Sequence, residues 1–140
     1  MGFTSCGKAE IVDGASAVRP GGPEFAPDGK YVYFHSDRGG AIEIWRRLPD
    51  GSGEKQLTSD DFNNCCPDVS SDGRRMAFLS YDKGIKALPE DQEVTLRMMS
   101  LGDKKISVVG KLVGGKGTMD VPSWSPDGRR LAFVSYQFIP

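Results

Sequence analysis

Apolar positions along the chain fall into short stretches with a period of two, separated by turn-forming Gly, Pro and Asp. Val32 and Phe34 alternate with Tyr31, Tyr33 and His35, and Met76 with Phe78 and Leu131 with Phe133 occupy the same places further on. A period of two is that of a strand, because successive side chains point to opposite faces. Here both faces are largely apolar, so these strands are expected to be covered on both sides. Third and fourth strands follow the first two of these segments: Ile42–Trp45 and Gln56–Thr58, then Val94–Arg97 and Ile106–Val109, with turns at Pro49-Asp50-Gly51 and Leu101-Gly102-Asp103.

The alternation sits inside an internal repeat. Pro23-Glu-Phe-Ala-Pro-Asp28-Gly29-Lys-Tyr-Val-Tyr-Phe34-His-Ser36 aligns without gaps on Pro67–Ser80 and on Pro122–Ser135, keeping Pro, Asp-Gly, Phe and Ser in register. Each copy predicts a hairpin. A strand starts at the Pro, which has no N–H to give a central ladder. Asp-Gly then supplies a tight turn, Gly taking positive φ and Asp bonding the turn backbone. The first two copies are 44 residues apart and the next two 55 apart, the excess falling in Tyr81–Glu93 and Gly110–Asp120. Four antiparallel strands in about 44 residues is the size of a propeller blade. The expected fold is therefore all-β: two and a half to three blades, half of a six-bladed ring, bounded as 22–65, 66–120 and a partial 121–140. Residues 1–21 form a lead-in, with Glu10–Val12 as a closing strand in one reading and no fixed structure in the other.

These segments resemble the TolB-like propeller repeat, whose core is Pro-x-Trp-Ser-Pro-Asp-Gly-x-x-Ile-Ala-Phe. Pro122–Phe133 matches it nearly residue for residue; Ala26 and Ser71 are departures in the other copies. The resemblance covers roughly residues 22–136 and implies a protein-binding scaffold of the periplasm, or a gating propeller of a peptidase. Periplasmic location is implied by resemblance alone. Met1–Cys6 shows no secretory signal, which leaves the cytoplasm as the alternative. Full propellers of this kind have six or more blades. Three blades leave open edges, and these predict a homodimer or other self-association that completes a ring; the competing expectation is a fragment of a longer chain.

Composition narrows the function. A net charge of −1 gives no general attraction for nucleic acid, and no apolar run approaches the length of a membrane span. Three cysteines, Cys6, Cys65 and Cys66, do not make a disulfide framework, and the adjacent pair reads as small core residues. Gly110–Thr118 imitates a phosphate loop, but Gly117 stands where Ser or Thr is needed and a strand follows. His35-Ser36-Asp37 contains the residue types of a catalytic triad, but strand neighbours face opposite ways; His35 is a candidate catalytic residue against the plainer reading of a packed imidazole.

The turn residues Asp28, Gly29, Asp72, Gly73, Asp127 and Gly128 recur in every copy and read as structural. Glu24, Asp68 and Ser123 hold one equivalent place and, on innermost strands, would ring a central channel. Two converging carboxylates repel unless a proton or cation joins them. Oxygen ligands suit Ca²⁺, so Glu24 and Asp68 are candidate metal ligands; the alternative is a wet channel lining. Two functions follow: a scaffold holding a peptide, protein or small molecule at the channel mouth with loop 81–93, or a Ca²⁺-dependent hydrolase (a lactonase or sugar esterase) with His35 carrying a proton.

Overall fold

The computed structural model describes residues 23–85, 88–89, 92–114 and 123–135. The lead-in 1–21, with Cys6 and the closing strand considered there, lies outside them. The architecture is all-β: two four-stranded antiparallel sheets and the start of a third unit. The first blade is β1 (Glu24–Phe25), β2 (Val32–Ser36), β3 (Glu43–Arg47) and β4 (Lys55–Gln56); the second is β5 (Phe62–Val69), β6 (Arg75–Asp82), β7 (Glu93–Ser100) and β8 (Ile106–Val113). Each is a simple meander, so every strand pairs with its sequence neighbour. In the third unit Trp124 bridges Leu131. Among the described residues no helix is long and apolar enough to cross a membrane.

The three Asp-Gly turns share one geometry. Gly29, Gly73 and Gly128 have φ of 73°, 74° and 72°, and their amides donate to Ala26 O, Ser70 O and Ser125 O. Asp28, Asp72 and Asp127 each accept the amide two residues on, from Lys30, Arg74 and Arg129. In the second and third turns a serine hydroxyl also donates to the aspartate, at 2.6 Å. Ala26 cannot, so the first turn lacks that bond.

Two expectations change. β5 does not begin at Pro67; it runs from Phe62, and the ladder skips between Cys65 and Asp68 in a bulge where Cys66 has φ of 61°. A bulge leaves residues out of the ladder, which is how a Pro is tolerated inside this strand. The 81–93 insertion is not simply an open loop. β6 extends to Asp82, Leu88 is 1% exposed in the core, and the Tyr81 hydroxyl donates to Pro89 O at 2.7 Å.

β6 explains why both faces of the repeat are apolar. Met76 and Phe78 pack with Val69, Met99 and, from the first blade, Ala26, Tyr33 and Ile44. Ala77, Leu79 and Tyr81 pack the other way, with Leu88, Val94, Leu96, Cys65, Cys66 and Trp124 of the third unit. Removing such a side chain from water contributes about 2 kcal/mol. One strand thus supplies the core of both junctions between blades. Cys65 and Cys66 are buried within the second core.

Candidate functional site

The inner strands carry the repeat's first Pro and the residue after it. In the first blade Glu24 opens β1, opposite Tyr33; in the second, Asp68 follows the bulge, opposite Ala77. The bulge re-aims the end of β5 and brings Asp68 to Glu24 and to Ser123. Asp68 is 2% exposed, Ser123 is buried and Glu24 half-buried.

Burial, then the charge of Asp68 and a hydrogen bond to it, push the Glu24 carboxyl up to about 8. Burial also raises Asp68, against the hydrogen bonds from the Ser123 backbone and side chain and from Glu24 that lower it. Both shifts favour a protonated carboxyl in this pair, most strongly at Glu24. Oδ2 of Asp68 is buried without a hydrogen-bond partner among the described residues. The backbone beneath is fixed by the Trp124 indole, which donates to Asp68 O at 2.9 Å.

The structure therefore brings Glu24, Asp68 and Ser123 together, as their equivalence in the repeat implies. His35 is set apart from them in its environment. It is 9% exposed, and its Nδ1 accepts the Cys66 amide at 3.3 Å. Ser36 turns the other way, accepting from the Arg38 amide and Nε at 3.2 and 3.1 Å. His35 takes the place that Leu79 holds in the second blade, a position within the core. Among the described residues no three His, Cys, Asp or Glu side chains converge to hold a metal ion. Ca²⁺ takes six to eight oxygens, of which Glu24, Asp68 and Ser123 would supply a part.

A second polar cluster was not legible in the motifs. Arg97 Nη2 donates to Asp60 at 2.7 Å and to Asn64 Oδ1 at 2.9 Å, and its Nε donates to Ser80 at 2.7 Å. Asn64 donates to Glu43, which also accepts from Thr58. Burial would raise Asp60, but hydrogen bonds from Asn64 and Arg97 and the Arg97 charge outweigh it and hold the carboxyl below its usual value. The cluster ties β3 of the first blade to β5, β6 and β7 of the second. Its one signal in the sequence is a charge, Arg97, within the alternation of β7.

No family model matches the chain. It is 37% identical to an uncharacterised protein of Agrobacterium fabrum, over 84% of this chain and 40% of that protein. It is 30% identical to the TolB homolog of Chlorobium luteolum, over 79% of this chain and 32% of the relative. Among solved structures it is similar to a putative TolB from Agrobacterium tumefaciens, with a TM-score of 0.79 at 36% identity over 84% of this chain and 42% of that one. TolB from Acinetobacter baumannii gives a TM-score of 0.59 at 25% identity, over 76% and 24%. The chain thus spans less than half the length of each of these relatives.

Proposed function

The chain is TolB-like in its repeat and in its blades, and on that premise we propose that it is a binding scaffold whose inner-strand row of Glu24, Asp68 and Ser123 receives a donor group from a peptide, protein or small molecule. The observation that supports this is the buried, unpartnered Oδ2 of Asp68 beside a protonated Glu24. An orphaned buried acceptor costs about 1–3 kcal/mol, which a ligand N–H would offset. A cationic donor would also let Glu24 release its proton, so binding would strengthen as pH rises toward 8. The test is titration calorimetry with short Lys-containing peptides and their Nζ-acetylated forms. Saturable binding is expected for the charged peptides, weakened at least tenfold by Asp68→Asn. Equal binding by the Asn variant, with its fold intact by circular dichroism, would sink the reading.

Self-association is the second part of the proposal. Val108 on the edge strand β8 is 66% exposed, and Val109, Phe133 and Val134 are exposed as well. An uncovered edge with apolar side chains favours a partner strand or a second copy. Nothing among the described residues favours the Ca²⁺-dependent hydrolase.

A further inference from the structure

A row of side chains crosses the first blade on the face turned toward the second. Strand register places Glu24 opposite Tyr33, Tyr33 opposite Arg46, and Arg46 opposite Lys55. The same row in the second blade reads Asp68, Ala77, Met98, Ser107. The fold therefore does not require a cation in the middle of this face; the second blade fills the place with methionine.

Arg46 is held in a set orientation. Its guanidinium lies 4.2 Å over the Tyr31 ring and hydrogen-bonds the Tyr33 phenol. It lines a cleft of about 280 Å³ between the blades, with Lys30, Tyr31, Tyr33 and Leu101. That volume is below the range of drug-sized pockets and suits a small group. Nε of Arg46 is buried and has no hydrogen-bond partner among the described residues. The ion pairs among the described residues are Arg38–Glu54 and Arg97–Asp60, so none engages Arg46, Lys55 or Lys104. Lys104 sits near enough to feel both others: burial, then the charges of Arg46 and Lys55, lower its ammonium below the usual value. Asp28 and Asp72 also line the cleft, each with Oδ1 engaged by its own turn. Within the lining, Lys30 and Arg46 are matched in number by Asp28 and Asp72, and the excess positive charge comes from Lys55 and Lys104 close by; such an excess at a partly desolvated cleft raises the local concentration of anions.

We propose that this cleft is an oxyanion site, in which Arg46 binds a carboxylate or phosphate group and Lys55 and Lys104 draw it in. Tyr31 and Tyr33 position the guanidinium. The site adjoins the inner-strand row through Tyr33, which stands opposite Glu24, but does not rest on the binding proposed there.

The test follows the Arg46 Nε–Hε signal of the full chain by ¹⁵N NMR during titration with sodium phosphate in one arm and N-acetylglutamate amide in the other, against sodium chloride at matched ionic strength. A saturable shift is expected in at least one arm, and the tighter arm identifies the group. Arg46→Met should weaken binding, read from neighbouring amides, at least tenfold. Lys55→Ala, at an exposed position, should weaken it about threefold and leave the spectrum otherwise folded. A linear shift that matches chloride, or saturable binding unchanged in both variants, would overturn the proposal.

Discussion

The two junctions of this molecule are made from the same repeat and differ in kind. Between the first and second blades the apolar centre is flanked at one end by the cleft with Arg46, Tyr31 and Tyr33, and at the other by the buried Arg97–Asn64–Glu43 cluster. Between the second blade and the third unit the facing residues are Ala77, Leu79, Tyr81 and Trp124, closed over two cysteines. The turns show the same contrast. Ser71 donates to Ser125 O at 2.7 Å, and a Cβ on Gly128 would meet the Asp72 carboxyl at 2.8 Å. Gly73, facing the first junction, has nothing among the described residues within 4 Å of such a Cβ. The second junction is closed by contact, whereas the first leaves room and spends polar groups around it. A fold repeated for packing can therefore be opened at one junction by a few substitutions, Met to Arg and Ala to Tyr in the equivalent positions, without altering the ladder.

The contrast can be broken most strongly at Trp124. Trp124→Ala removes the anchor of the closed junction and the donor to Asp68, and is expected to destabilise by about 3–5 kcal/mol; Arg46→Met at the open junction should stay within about 1 kcal/mol of wild type. Urea unfolding midpoints compare the two, and similar losses would erase the distinction. A finer measure comes from the turns. Gly128→Ala should cost about 2–3 kcal/mol, against about 1 kcal/mol for Gly73→Ala, because both have positive φ and only the first meets a carboxyl. Differential scanning calorimetry of the pair isolates that contact.

The smallest effect is electrostatic. The folded value of Glu24, about 8, lies above the ordinary 4.5, so its protonated form contributes stability that is complete below pH 4.5 and lost as pH rises through 8. Allowing for solvent screening of a half-buried group, the difference amounts to about 1–2 kcal/mol. Glu24→Gln should flatten that part of the stability-versus-pH curve between 4.5 and 8. An unchanged slope would remove the protonated carboxyl from the inner-strand row.

Much of this was legible in the sequence, and the reasons are local. Asp28, Asp72 and Asp127 declare their turns because a positive φ followed by a strand needs Gly, and the residue before it can bond the next amides. The convergence of Glu24, Asp68 and Ser123 follows from their equal place in the repeat. The start of β5 was not legible, because a bulge at Cys66 lets Pro67 sit where a regular ladder would exclude it. Leu88 could not be placed either, since an apolar residue in an insertion has no periodicity to show which way it turns.

The sequence by itself determined the repeat, the all-β class and the turn chemistry, since these depend on alternation and on the φ preferences of single residues. Only the tertiary structure decided that His35 is packed beneath Cys66, that Glu24 and Asp68 meet in a buried setting that raises both carboxyls, and that Arg97 is enclosed while Arg46 borders a cleft. Those outcomes depend on what stands opposite each side chain across a junction, and residues far apart in the chain meet there through the stacking of blades, which no local pattern encodes.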